Sequence, residues 1–222
     1  MLTEEMVRCQ QLGLTLFNIH PGSTCGKISR QEGIRLVAEG INRVHKETSG
    51  SVVKLVLENM CCQGDTLGGD FKELKLIIDQ VEDKTRVGVC LDTCHAMAAG
   101  YDLSVAEGFE KFCSDFETLV GWQWLVGVHV NDSLGPAGSH RYFYLSSSVL
   151  NDLFKNVQQL PRRLSFCFCF VLLKLHKNSR YSKHSLLWQI IVPLPNSCNA
   201  SMSSPQGQTC QHWAWNDRRG GF

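Results

Sequence analysis

The sequence predicts an α/β fold in which parallel strands alternate with helices and the chemistry gathers at one end of the sheet. Three observations carry that prediction. Short apolar runs recur at 12–19 (LGLTLFNI), 52–57 (VVKLVL), 86–91 (RVGVCL) and 125–128 (LVGV). They show the near-continuous apolar character of strands buried on both faces, and helical patterns separate them. Each run also ends on a side chain able to bind a metal: His20, Glu58, Asp92 with His95, and His129.

The elements follow in order. Leu2 to Gln11 reads as a helix ahead of the first strand, Leu12 to Ile19, which ends at His20-Pro21-Gly22-Ser23. Ser29-x-x-Glu32 is a capping box that opens a helix to about Thr48. The second strand, Val52 to Leu57, ends at Glu58-Asn59. Gln63-Gly64 and Gly68-Gly69 mark a mobile loop rather than a phosphate cradle. Asp70 to Val81 predicts a helix with Leu74, Ile77, Ile78 and Val81 on one face. The third strand, Arg86 to Leu91, ends at Asp92-Thr93-Cys94-His95. Ser104-x-x-Glu107 is a second capping box, for a helix to about Val120. Leu125 to Val128 is the fourth strand, ending at His129-Val130-Asn131-Asp132.

Parallel strands joined by helices all point one way, so the strand-end residues collect on a single C-terminal rim. An open doubly wound sheet uses that rim only near its switch point, whereas a barrel uses it all round. Donors on four consecutive strands therefore predict a partial (β/α) barrel of about four βα units. Imidazole and carboxylate donors together suit zinc, with manganese or iron as competitors. His45, between Arg43 and Lys46, reads as part of a solvated helix face. Cys61, Cys62 and Cys90 read as small apolar fillers, since no CxxC pair is present.

Composition bounds the rest. The chain has 222 residues and a net charge of +1, which excludes nucleic-acid or membrane binding by bulk charge alone. No apolar run is long enough to span a bilayer, and Met1 to Gln10 lacks a signal-peptide core. The 11 cysteines follow no repeating frame and read as reduced thiols, so an intracellular setting is expected. The charge is unevenly spread. Residues 1–145 carry 13 Lys and Arg against 19 Asp and Glu, while residues 146–222 carry 9 against 2. The expected organisation is a partial barrel over 1–145 and an unrelated, poorly ordered tail over 146–222.

The strand-end wording resembles a known family. HPGS at 20–23, LEN at 57–59, GVCLDTCH at 88–95 and HVNDS at 129–133 look like successive signatures of the endonuclease IV family. These are zinc-dependent apurinic/apyrimidinic endonucleases built on a TIM barrel, and the similarity covers about residues 1–140. The resemblance implies cleavage of DNA 5′ to an abasic site in base-excision repair. By motif position it assigns His20 to a first zinc, Glu58 to a bridge between first and second, Asp92 and His129 to the second, and His95 to a third. Glu58 is then the catalytic carboxylate. The implied partner is double-stranded DNA with abasic sites, in a nucleus, mitochondrion or bacterial cytoplasm. Backbone amides near Ser23 and Asn131 are candidate phosphate contacts, with Lys27 and Arg30 close by in sequence. Tyr101 is a candidate to fill the abasic gap.

The chain also departs from the family. Members carry more barrel before the segment matching Met1, including a histidine ligand. Leu134 stands where a lysine is usual, and no Asp-x-His pair follows, although His140 lies in that region. Of up to three family zinc ions, fewer are expected here, since only the second keeps three ligands. Weakened activity, a non-catalytic binding fragment, or a sugar-isomerase-like barrel are the alternative expectations.

Overall fold

The computed structural model describes residues 1–141 except Val130, Asp132 and Leu134. Four strands, β1 (Leu16–Ile19), β2 (Lys54–Glu58), β3 (Val87–Asp92) and β4 (Leu125–His129), form one sheet in the order β1-β2-β3-β4. Every neighbouring pair is parallel. Among the described residues the order never reverses, so this part of the sheet has no doubly wound switch point and progresses as a barrel wall does. The fold is α/β and a partial barrel, as expected. The tail expected over 146–222 lies outside the described residues.

Helices α1 (Leu2–Gln11), α2 (Arg30–Glu47), α3 (Phe71–Gln80) and α5 (Ala106–Leu119) contribute to one apolar core with the sheet. Leu55, Leu57, Val89, Leu91 and Val128 from the strands meet Ile34, Ile41, Leu74, Ile77, Phe112 and Phe116 from the helices. The opposite strand parity faces inward. It carries Asn18, His20, Val56, Glu58, Gly88, Cys90 and Asp92. None of the helices among the described residues is long and apolar enough to cross a membrane.

A register shift decides where the fourth strand's histidine goes. Val89 pairs with Leu125 but Cys90 pairs with Gly127, so β4 holds one extra residue. Unbroken pairing would set Asp92 opposite Val128. The bulge sets it opposite His129 instead and returns that side chain to the inward face. Glycine on β3 makes room: a Cβ at Gly88 would lie 2.7 Å from Val126 Cγ2.

Several local expectations need correction. The first strand is shorter than 12–19, because Leu12 is the C-cap of α1 and is 74% exposed. Ser29 caps α2, its side chain accepting from Glu32 N. Ser104 does not cap α5: the N-cap is Val105, and the Ser104 hydroxyl is taken by Asp102. A short helix absent from the sequence reading, α4 (Thr93–Ala99), follows β3 directly. His45 is buried rather than solvated, on the side of α2 that meets Arg86.

The loop 63–69 is tied down rather than mobile. Leu67 N donates to Gly22 O at 2.9 Å, Thr24 N to Asp65 O at 3.0 Å and Gly68 N to Glu73 Oε2 at 2.8 Å. Gly68 has φ +87°, and a Cβ there would meet Pro21 Cγ at 2.8 Å. These bonds clamp the segment after β1 to the segment after β2.

Candidate metal centre

Four strand ends deliver the expected side chains to one place. His20 stands one residue beyond the last paired rung of β1 and Glu58 is the last residue of β2. Asp92 and His129 end β3 and β4 and face each other in register. Asp92 is also the N-cap of α4, its Oδ1 accepting from His95 N at 2.8 Å. That cap fixes His95 one turn into the helix, on the same rim.

Glu58 is the centre. Its Oε1 lies 3.1 Å from His129 Nδ1 and 3.3 Å from His95 Nδ1, and its Oε2 lies 3.5 Å from His20 Nε2. Two groups of ligand atoms lie mutually within 4.8 Å: His20, Glu58 and His95, and Glu58, Asp92 and His129. Glu58 belongs to both. The resemblance assigns His95 to a separate ion, whereas proximity places it beside His20, ring centroids 5.4 Å apart. Asn59 O accepts from His95 Nδ1 at 2.8 Å, which puts the ring proton on Nδ1 and the lone pair on Nε2.

The electrostatics suit a cation. Burial alone would raise the pKa of Glu58, but contacts with His129, His20 and His95 outweigh it and hold the carboxyl far below its ordinary range. Burial raises Asp92, with Glu58 adding to the rise and His95 opposing it. Burial lowers His95, yet Glu58 and Asp92 carry it above the usual histidine value. Two buried acids thus share three imidazoles with no lysine or arginine among their ion-pair partners in the described residues. His129 Nε2 and Asn18 Oδ1 are buried without a hydrogen-bond partner among the described residues. An N/O donor set, a buried carboxylate shared by both ligand groups and a buried imidazole nitrogen without a partner among the described residues fit a divalent metal.

Other expected residues are placed differently. Ser23 is exposed, its Oγ accepting from Cys25 N at 3.0 Å. Asn131 is buried, its N–H on Thr93 Oγ1 at 2.9 Å and its side-chain amide on Asp92 Oδ2. Arg30 is engaged within the protein: its Nη2 donates to Glu73 Oε2 at 2.9 Å and to Thr66 O at 2.8 Å. Lys27 is exposed. Tyr101 is packed rather than presented: its ring stacks on Phe71 at 5.6 Å and its hydroxyl donates to Asp115 Oδ2 at 2.9 Å. His140 is exposed, its Nδ1 3.4 Å from Cys61 O and in neither ligand group. Cys61 and Cys90 are buried fillers as expected, and burial, helped by Glu58 and Asp92, keeps the Cys90 thiol protonated.

Sequence reasoning missed Asn18 and Asn59. Asn18 carried a signal, since it lies two residues before His20 and so shares its face of the strand.

An apurinic-apyrimidinic endonuclease of Caenorhabditis elegans is 46% identical over 138 residues, 62% of this chain. The chain spans about a third of that relative's length, 34%. Endonuclease IV from Thermus thermophilus superposes with a TM-score of 0.60 at 26% identity, over 79% of this chain and 67% of that one. A D-tagatose 3-epimerase-like protein matches with a TM-score of 0.54 at 15% identity over 79% of this chain and 67% of its own, a likeness of fold alone. The model of the xylose isomerase-like TIM barrel family matches residues 1–163. The chain therefore belongs to the xylose isomerase-like TIM barrel family.

Proposed function

We propose that this chain carries the metal-dependent phosphodiester-cleaving centre of an abasic-site DNA endonuclease. The observation that carries the reading is Glu58, buried and shared by two three-ligand groups on a barrel rim. Three protein ligands is the usual minimum for a catalytic zinc site, and each group reaches it. Zinc is the proposed metal, held by His20, Glu58, Asp92, His95 and His129.

A divalent ion bound there supplies Lewis acidity toward a phosphodiester and a water acidified toward neutral pH. The chain's own residues do the positioning. Glu58 holds charge between the two groups, Asp92 serves both α4 and the rim, and Asn59 fixes the His95 tautomer. The net negative charge of residues 1–145 excludes a broad basic footprint, so any contact with DNA would have to be local to the rim and its bound cation.

The test is incision of a duplex with one abasic site by the purified chain, alongside elemental analysis. The expected result is a nick 5′ to the site that a chelator abolishes and zinc or manganese restores. Removing residues 146–222 is expected to leave metal per folded molecule unchanged, because all five proposed ligands precede residue 146. A folded, metal-loaded chain that never nicks the duplex would instead support a non-catalytic binding product.

A further inference from the structure

We infer that two asparagines, Asn18 and Asn131, form a collar of neutral amides that orients the metal ligands without neutralising them. The inference rests on the metal-centre reading above. Each asparagine reaches from its own strand to a ligand on a neighbouring strand. Asn18, on β1, donates Nδ2 to Glu58 Oε2 at the end of β2. Asn131, just beyond β4, donates Nδ2 to Asp92 Oδ2 at the end of β3. Asn59, just beyond β2, stands apart from the pair: both ends of its amide go to the Asp92 backbone, Oδ1 accepting from Asp92 N at 2.5 Å and Nδ2 donating to Asp92 O at 3.1 Å, which fixes the strand end rather than a ligand oxygen. Its carbonyl then takes His95 Nδ1.

The chemistry of the amide explains the choice. A lysine or arginine at these positions would satisfy the carboxylates as a counter-ion and compete with a metal for the same charge. An amide N–H fixes one lone pair and leaves the full negative charge in place. Glu58 and Asp92 each have further lone pairs that the amides do not occupy, which a cation can use. Outer partners of this kind set ligand orientation and commonly change metal affinity 10- to 100-fold when removed.

Asn18 separates this role from ordinary fold maintenance. Its Nδ2 goes to Glu58, while its Oδ1 is buried with no partner among the described residues. An asparagine kept to hold a strand in place would use both ends on the backbone, as Asn42 does between α2 and the end of α3. There Nδ2 meets Gln80 O at 3.0 Å and Oδ1 accepts from Glu82 N at 2.7 Å. Asn18 spends its donor on a ligand instead.

The experiment uses the full chain and cobalt(II), whose visible spectrum reports its ligand geometry. Asn18→Leu and Asn131→Leu keep a comparable volume and remove the amide. Each is expected to weaken cobalt affinity about 10- to 100-fold and to alter the visible band. Asn42→Leu, far from the rim, is expected to lower the unfolding midpoint of the metal-free chain while leaving cobalt affinity unchanged. Wild-type cobalt affinity in both rim variants would overturn the collar and leave the metal centre standing. Loss of affinity in step with loss of stability across all three variants would also overturn it, as a purely structural effect. No cobalt uptake by the wild-type chain would overturn the metal-centre reading, and the collar with it.

Discussion

The two ends of the sheet both bury charge, and they settle it in opposite ways. At the N-terminal end Arg86 is buried, and its guanidinium is bonded at every turn. Nε donates to Val53 O at 3.2 Å, Nη1 to His45 O at 3.2 Å and Thr48 O at 3.1 Å, and Nη2 to Thr48 Oγ1 at 2.9 Å. At the C-terminal end Glu58 and Asp92 are buried among imidazoles and amides, and His129 Nε2 has no partner among the described residues. The first cluster is closed around its charge, the guanidinium tying α2 and the starts of β2 and β3 together through backbone oxygens, while both ring nitrogens of the neighbouring His45 are buried without a hydrogen-bond partner among the described residues. The second is left open, with acceptors in excess. A closed buried network maintains shape, whereas an open one is organised for something yet to arrive.

The largest expected effect breaks the open end. Glu58→Gln should lower metal affinity by more than about 100-fold, beyond the loss typical of an outer partner. It should also lower the urea midpoint of the metal-free chain, since the folded state favours the ionised carboxylate among its three imidazoles. His95→Ala should cost less metal than Glu58→Gln, because Glu58 serves two ligand groups and His95 one. Equal metal loss on folded protein, by elemental analysis, would contradict the central place of Glu58.

Next comes the closed end. Arg86→Leu strands three backbone carbonyls and one hydroxyl, and should destabilise the fold by about 3 kcal/mol, read from the urea midpoint. Metal content per folded molecule should not change. If Arg86→Leu released metal from folded chains, the two ends would not be independent.

A smaller effect comes from His45, which sits against Arg86 at the closed end. Burial first, and then Arg86, lowers its pKa from 6.5, while Asp83 works the other way. The folded state therefore resists protonation more than the unfolded state does. As pH falls below 6.5 the unfolded chain gains a proton that the folded chain refuses, and stability declines until the lowered pKa is passed. The slope from this one group stays under about 1.4 kcal/mol per pH unit. A chain carrying His45→Leu should show a flatter stability profile across that window. An unchanged profile would locate the acid sensitivity elsewhere.

The smallest contrast lies in the caps. Ser29→Ala should cost about 1 kcal/mol, since it removes the acceptor for Glu32 N, whereas Ser104→Ala should cost far less. Thermal unfolding of the two variants measures the difference.

The rim was legible in the sequence because parity and motif agreed: each apolar run ended on a donor, and parallel strands must end together. What did not show was what sets those donors in relation to each other. The bulge in β4 is a single extra residue, Val126, which shows only once the strands are paired and its side chain is seen to lie against Gly88. Helix α4 was hidden because Asp92 is read as a ligand before it is read as a cap. The Ser104 motif failed because Asp102 competes for the same hydroxyl. His45 looked solvated among its charged sequence neighbours, but its contact across the fold is with Arg86, 41 residues away.

Strand β1 differs from its three companions in one respect. All four of its residues are only half-buried, while β2, β3 and β4 are buried along most of their length. The least protected strand therefore carries Asn18 and leads directly into His20. Ligation and local opening are then thermodynamically linked: a metal that requires His20 in place holds β1 shut by RT ln(1 + [M]/Kd). Amide hydrogen exchange along Phe17 to Ile19 becomes a gauge of occupancy at the rim. It should slow on loading well before exchange in β3 responds, because β3 is already fastened by strands on both sides.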